Sequence, residues 1–390
     1  MIFKYYMPTR FIFGAGALNE LHRQKLPGGK ALIVISSGKS MRAGGHLDRL
    51  TGQLDEAGIA WTLFDKILPN PVVEHVNEGG ELAAREGCDF IIGLGGGSTI
   101  DSAKAIAVKA ANLAHDFWDF VAGSTGGRQK PTNDPLPVVA ITTTAGTGTE
   151  TDQWAVVSKN ETKEKLGFGY DKTFPVFSIV DPELMLTVPP ALTAYQGFDA
   201  LFHSTECYLN KIANPLSDII CLDAIRNIGG YLERAVKNGD DMEAREKVAL
   251  ANTEAGFTQS VSGCISKHAM EHALSAYSPK LPHGAGLIAI SLAYYETLIR
   301  KGAVPERFIA MARELGADGA SAPEDFLTAL ARLQRACNVD DIRLSDYGIK
   351  RDDIDGLVKN AYDNMGHMFA FDPVEITPDD TRRIFEASFK

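Results

Sequence analysis

Short apolar runs alternate with amphipathic segments through the first half of the chain. Residues 31–35, 61–64, 90–94, 138–142 and 176–180 read as strands, while 46–57 and 76–86 repeat apolar positions at helical spacing. Strands alternating with helices predict a parallel sheet covered on both faces. Beyond Pro189-Pro190 the pattern changes, and residues 192–209, 217–236, 242–260, 286–299 and 323–337 all carry helical periodicity. Proline is tolerated in a first helical turn, where its missing N–H costs nothing, so this pair marks a helix start and a domain boundary near residue 185. The expected organisation is an α/β domain over residues 1–185 and a helical domain over 186–390, packed around a cleft. The loop over residues 123–135, rich in Gly, Ser, Thr and Asn, is the expected surface excursion, and no internal repeat is visible.

With 39 Lys+Arg against 50 Asp+Glu, the 390-residue chain carries a formal net charge of −11. An acidic chain without a basic block is a poor binder of phosphate backbones, which excludes nucleic acid as a principal partner. The longest apolar stretches, such as residues 287–295, fall short of the roughly 18 residues needed to cross a bilayer, and residues 1–10 lack a signal-type apolar core. No membrane partner and a cytoplasmic location are expected. The five cysteines are scattered singly without a Cys-x-x-Cys pair, and they read as reduced and mostly buried.

Residues 89–104, DFIIGLGGGSTIDSAK, run from an apolar strand through clustered glycines into a helix. Glycines let backbone N–H groups approach a pyrophosphate closely, and the following helix start presents the positive end of its dipole. The loop is a nucleotide-binding loop in outline, although it lacks the GxGxxG spacing and follows the third apolar run rather than the first. A second segment, TTTAGTGTE over residues 142–150, also leaves an apolar strand and offers hydroxyls beside glycines, as an uncharged wall around a nicotinamide cofactor would. Open parallel sheets bind ligands at the ends of such neighbouring strands.

The second half holds a cluster of acid and imidazole. Asp199 and His203 stand four apart, as do His268 and His272, so each pair projects from one helix face; His283 follows in a Pro-His-Gly helix entry. Three imidazoles and one carboxylate suit a divalent first-row ion such as Fe²⁺ or Zn²⁺ acting as a Lewis acid, and the lack of paired cysteines argues against a closed structural zinc site. Five candidates exceed four places, so the residue types alone leave open which of His268, His272 and His283 is spared. The spare imidazole is a natural proton carrier.

The whole set resembles the iron-containing, or group III, alcohol dehydrogenases. The resemblance runs from Phe11-Ile12-Phe13-Gly14-Ala15-Gly16 through Phe64-Asp65, Pro69-Asn70-Pro71, Gly95-Gly96-Gly97-Ser98, Asp101, Lys104 and the 142–150 loop. It ends with Asp199, His203, His268, His272 and Pro282-His283-Gly284. It implies a dehydroquinate synthase-like fold, with an amino-terminal α/β dinucleotide-binding domain on a parallel sheet and an all-α carboxy-terminal metal-binding domain. The metal ligands it implies are Asp199, His203, His268 and His283, with His272 as proton relay. For the cofactor it implies Ser36, Gly95, Gly96, Gly97, Ser98, Asp101, Thr142, Thr143, Thr147 and Lys165. The implied activity is reversible hydride transfer between a small primary alcohol and NAD(P), as an alcohol dehydrogenase or aldehyde reductase, with a homodimer formed through amino-terminal strands. The alternatives are a glycerol dehydrogenase-like or hydroxyacid-type oxidoreductase, and a non-catalytic metal- or nucleotide-binding module.

Two departures bear on specificity. Many NAD-using members carry an aspartate after the first strand, whose carboxylate binds the adenosine ribose and repels a 2′-phosphate; this chain has Ser36 followed by Ser37-Gly38-Lys39-Ser40. NADP(H) or dual use is therefore expected. The family's Asn-Pro before a Thr-led helix is here Phe371-Asp372-Pro373 ahead of Thr377, a loop expected to face the cleft.

Overall fold

The computed structural model describes residues 2–389. They form two compact units. The α/β unit holds residues 7–144 and 149–187; the helical unit holds the chain from Val188 onward, together with Ala145–Gly148 and an amino-terminal segment ending at Tyr6.

In the α/β unit the strands are β1 (Arg10–Phe13), β2 (Lys30–Ser36), β3 (Ala60–Ile67), β4 (Phe90–Gly95), β5 (Val138–Thr142), β6 (Ala155–Lys159), β7 (Glu164–Phe168) and β8 (Phe177–Val180). Its helices are α1 (Ser40–Ala43), α2 (His46–Glu56), α3 (Val73–Arg85) and α4 (Gly97–Ala111). Six strands make one parallel sheet in the order β1-β8-β5-β4-β2-β3, and β6 and β7 pair separately as an antiparallel hairpin. The two-residue period of a strand divides the sheet's side chains between its faces. Ala31, Ile33, Ile35, Phe90, Ile92, Leu94, Val139 and Ile141 pack with Leu47, Leu50 and Leu54 of α2. On the opposite face Gly93 lets α4 close in, since a Cβ there would stand 3.0 Å from that of Ala103. Fully buried Val and Ile on both faces are what a parallel sheet under two helix layers requires.

The sequence pattern located the five inner and outer strands but not β1 or the β6–β7 hairpin. Because β1 joins the sheet beside β8, the glycine-rich loop follows the fourth strand in chain order. The hairpin escapes periodicity because charged Glu164 and Lys165 are buried within it.

The helical unit comprises α5 (Pro190–Leu209), α6 (Pro215–Lys237), α7 (Met242–Val261), α8 (Ser266–Tyr277), α9 (His283–Arg300), α10 (Pro305–Glu314), α11 (Glu324–Ala336), α12 (Ile354–Met365) and α13 (Pro378–Ser388). Pro190 and Pro215 sit in first turns, and Asn214 caps α6 through a reciprocal bond with Ser217. Thr377 caps α13 in the same way with Asp380. An aromatic core of Phe202, Tyr295, Phe308 and Phe326 joins α5, α9, α10 and α11. A single cut near residue 185 does not describe this division, because Ala145–Gly148 is bonded into the helices: the Gly148 N–H donates to Asn252 Oδ1 at 2.8 Å and the Ala145 N–H to Gln196 Oε1 at 3.3 Å.

All five cysteines are free thiols, four buried and Cys264 partly so. No described helix is long and apolar enough to cross a membrane. Asp372 does not line an opening: its side chain is fully buried and accepts a hydrogen bond from the Tyr294 hydroxyl. Burial pushes its carboxyl up to about 7.

Candidate active site

In the α/β unit the chain runs from β2 outward to β3 and returns to the other side of β2 to make β4, so the order reverses between β2 and β4. A reversal of this kind opens a crevice at the carboxy-terminal ends of the two strands. Ser36 ends β2, and Gly95 ends β4 with Gly96 and Gly97 leading into α4. Gly95 has φ +157°, and a Cβ on it would stand 2.6 Å from Thr99 Oγ1, so only glycine takes the strand into the helix here. The Ser98 hydroxyl donates to the Pro69 carbonyl, tying the start of α4 to the Pro-Asn-Pro turn. Thr143 N–H donates to the Gly95 carbonyl at 3.0 Å, and the Thr142 hydroxyl to the Thr144 carbonyl at 2.9 Å. Ser36, Gly95, Gly96, Gly97, Ser98, Thr142 and Thr143 thus lie at the ends of β2, β4 and β5.

Asp101 differs from its expected role. One of its oxygens accepts from Thr149 Oγ1 at 2.6 Å and the other from the Val156 N–H at 3.0 Å, so the carboxylate clasps the hairpin rather than facing outward. Burial pushes its carboxyl up to about 6. Lys104 is fully buried alongside, its ammonium donating to Thr149, Asp152 and Trp154. Lys165 is buried on β7 opposite Ser158. Thr147 belongs to the helical unit, where its carbonyl accepts from Gln259 at 2.9 Å.

In the helical unit the buried acid and three imidazoles converge. His203 Nε2 and His268 Nε2 each stand 3.6 Å from Asp199 Oδ1, and His283 Nε2 stands 3.5 Å from the same oxygen. All four ligand atoms lie within 4.8 Å of one another. Atoms about 2.1 Å from a common tetrahedral ion are about 3.4 Å apart, so the spacing fits a first-row dication. Asp199 Oδ1 and His268 Nε2 are buried without a hydrogen-bond partner, a state that costs a fold free energy unless something else meets those lone pairs. The donor set present therefore fits an ion.

Local structure explains the convergence. Asp199 and His203 occupy successive turns of α5, while His268 lies in the first turn of α8 with its ring stacked on that of His203, 4.5 Å between centroids. The Pro282 cap makes His283 the first residue of α9 rather than part of a preceding loop. Gly284 then allows α9 to meet α5 backbone to backbone, since a Cβ there would stand 2.1 Å from the Tyr195 carbonyl oxygen. His272, one turn along α8 from His268, stays outside the foursome with its ring 5.6 Å from that of His283. Burial pushes the Asp199 carboxyl up and, with the neighbouring His203, holds His268 well below the usual imidazole range; a neutral imidazole is the form that coordinates.

The sequence reading missed the residues behind the rings. His268 Nδ1 is 2.7 Å from Glu206 Oε1, His283 Nδ1 contacts Glu271 Oε2, and His203 Nδ1 is 3.2 Å from the Gly146 carbonyl. Glu206 and Glu271 are both fully buried. Their signal was present as spacing, since Glu206 falls three residues after His203 and Glu271 three after His268, on the faces that carry the imidazoles.

Comparison with known proteins agrees with this chemistry. The family description "Iron-containing alcohol dehydrogenase" matches residues 8–182, and "Fe-containing alcohol dehydrogenase family, C-terminal" matches residues 193–389. Alcohol dehydrogenase 4 of Schizosaccharomyces pombe is 34% identical over 389 residues, covering 98% of this chain and 88% of its own length. The NAD-dependent methanol dehydrogenase of Bacillus methanolicus is 34% identical over 370 residues, 93% of each chain. Among solved structures, the archaeal halo-thermophilic Red Sea brine pool alcohol dehydrogenase ADH/D1 superposes with a TM-score of 0.95 at 35% identity, covering 100% of this chain and 99% of its own. Matched in this way along both of its units, the chain belongs to the iron-containing alcohol dehydrogenase family and is a metal-dependent alcohol dehydrogenase.

Proposed function

We propose that Asp199, His203, His268 and His283 hold the divalent ion, Fe²⁺ in the first instance with Zn²⁺ as an alternative occupant, and that the enzyme interconverts small primary alcohols and aldehydes with NAD(P)(H). The observation that carries the assignment is the approach of three Nε2 atoms to one unpartnered oxygen, Asp199 Oδ1. A dication held there supplies Lewis-acid polarisation of the substrate oxygen, and nicotinamide supplies the hydride partner. The chain's own groups bind, orient and move the proton. The backbone at Gly95, Gly96 and Gly97 and the start of α4 receive the pyrophosphate, with Ser98, Thr142, Thr143, Thr147 and Lys165 around the cofactor. Asp101 serves this site by holding the hairpin, and His272, beside the foursome but outside it, carries the alcohol proton away.

NADP(H) use, alone or beside NAD(H), follows from Ser36. A serine at the end of β2 offers no carboxylate to repel a 2′-phosphate, and Ser37, Lys39 and Ser40 beyond it are exposed and able to bind one. A homodimer through the amino-terminal strands is supported by the place of β1 at one edge of the sheet and by exposed Ile2, Phe3, Tyr5 and Tyr6. A cytoplasmic location accords with free cysteines and reduced-thiol usage.

The test is oxidation of NADH and of NADPH by a short aldehyde, on protein stripped of metal and refilled anaerobically with Fe²⁺ or Zn²⁺. Metal-restored turnover with NADPH, alone or beside NADH, is the expected result. Activity with NADH alone overturns the cofactor assignment; a preference for glycerol or a 4-hydroxy acid in a panel with short alcohols and diols overturns the substrate assignment.

A further inference from the structure

We infer that Glu206 and Glu271 are positioning residues that set the affinity and geometry of the metal site from behind the imidazoles, an inference resting on the four-ligand assignment proposed above. Each carboxylate faces the Nδ1 atom of one ring whose Nε2 faces Asp199 Oδ1: Glu206 for His268 and Glu271 for His283. A carboxylate accepts only from a protonated Nδ1, so each pairing fixes the tautomer that leaves the Nε2 lone pair free and raises the basicity of the ring. His203 Nδ1 faces a neutral group, the Gly146 carbonyl.

The two carboxylates are themselves held differently. Glu206 Oε1 also accepts from the Lys267 ammonium at 3.4 Å, and its Oε2 accepts from the Ile265 N–H at 3.1 Å and the His268 N–H at 3.4 Å. Ile265 is the residue before the first turn of α8, so Glu206 also caps the helix that bears His268. Glu271 Oε1 accepts from the Ser275 hydroxyl, a group able to reverse its hydrogen bond, and Gly286 leaves the space Glu271 occupies, since a Cβ there would stand 2.9 Å from Oε1. A glutamine at 271 therefore keeps both contacts, whereas a glutamine at 206 presents an NH₂ to two backbone N–H groups.

The experiment is titration of the metal-stripped full-length protein with Co²⁺, reading both the dissociation constant and the visible d–d absorption, for the wild type, E206A, E206Q, E271A and E271Q. Both alanine variants are expected to weaken Co²⁺ binding by about 10- to 100-fold and to change the d–d absorption. E271Q is expected to recover most of the wild-type spectrum and E206Q only part of it. Where circular dichroism shows that an alanine variant is unfolded, E206D and E271D decide, since they keep the charge but withdraw the oxygen from Nδ1; weakening of at least about 10-fold is expected. Alanine or aspartate variants that bind Co²⁺ with the wild-type constant and absorption overturn the inference while leaving the four ligands intact. A wild type that binds no Co²⁺ overturns the ligand assignment itself.

Discussion

Gly284 and Tyr195 meet backbone against backbone, with space for a hydrogen but not for a methyl group: a Cβ on Gly284 would stand 2.1 Å from the Tyr195 carbonyl oxygen. This contact joins the first turn of α9 to the second turn of α5, and it brings His283 to within 3.5 Å of Asp199. Gly284→Ala must push the two helices apart, at a cost of about 1–3 kcal/mol for overpacking. Metal affinity should fall with stability, because His283 moves with α9. Gly230, in the middle of α6, has open space around its Cβ position, and Gly230→Ala should instead stabilise by about 0.5–1 kcal/mol. Thermal unfolding and metal content of the two variants check both signs.

The two histidines of α8 should separate binding from rate. His268→Ala removes a ring whose Nε2 faces Asp199, so bound metal and turnover should be lost together. His272→Ala leaves the four converging atoms in place, so metal content should hold while turnover falls by about 10²–10⁴-fold, the contribution of a positioned proton carrier. Metal analysis beside steady-state kinetics distinguishes these outcomes, and loss of metal from the His272 variant would show that the wrong imidazole was spared.

Much of this site was legible before the structure, because α-helical geometry turns sequence spacing into proximity. Asp199 with His203, and His268 with His272, announce themselves at four-residue separation. Spacing left the choice among the imidazoles open and only the family resemblance made it, since the choice depends on where α9 begins and how closely it approaches α5, which Pro282 and Gly284 decide. Helix α8 itself was hidden from periodicity: Ser266, Lys267, His268, Glu271 and His272 are all buried, so polar residues occupy positions where a core helix normally shows apolar ones. Glu206 and Glu271 were hidden for the related reason that a lone glutamate in a helix ordinarily reads as surface. In the α/β unit the buried apolar strands stood out, and the short Arg10–Phe13 strand, expected among the amino-terminal strands, takes its place in the sheet beside β8.

Removal of the metal should destabilise the fold as well as stop catalysis. Asp199, Glu206 and Glu271 are three buried carboxylates, and Lys267, also fully buried, is the cation beside them, with its ammonium 3.4 Å from the Phe202 ring centre. A dication binding the native site and not the unfolded chain stabilises by about 2.7 kcal/mol at a hundredfold excess over its dissociation constant. The unfolding temperature should therefore drop on chelation and recover on addition of Zn²⁺ or Fe²⁺. An unfolding temperature indifferent to metal would contradict a buried ligand set.

Ser36→Asp should shift the cofactor preference toward NADH. The new carboxylate at the end of β2 would accept from ribose hydroxyls and repel a 2′-phosphate. The ratio of kcat/KM for NADPH over NADH should fall by about 10-fold or more, equivalent to about 1.4 kcal/mol of discrimination. An unchanged ratio would place the discriminating contact elsewhere than β2.

Glu254 gives the protein a pH dependence unrelated to its metal. It lies on α7 near Asp223 of α6, and its Oε2 is buried without a hydrogen-bond partner. Burial first, and then the Asp223 charge, push its carboxyl up to about 8. Asp223 accepts from Arg226 at 2.8 Å and from Asn227 at 3.1 Å. A folded-state value above the unfolded one means that the native protein holds the proton more tightly. The associated stability is complete below the ordinary glutamate range near 4.3 and is lost as pH rises through about 8. Glu254→Gln removes the titration but keeps the volume. Its unfolding temperature should match that of the wild type at about pH 4 and below, and exceed it increasingly up to about pH 8–9. Thermal unfolding of both proteins across that range provides the check: a difference that does not change with pH would mean that Glu254 is already ionised in the fold.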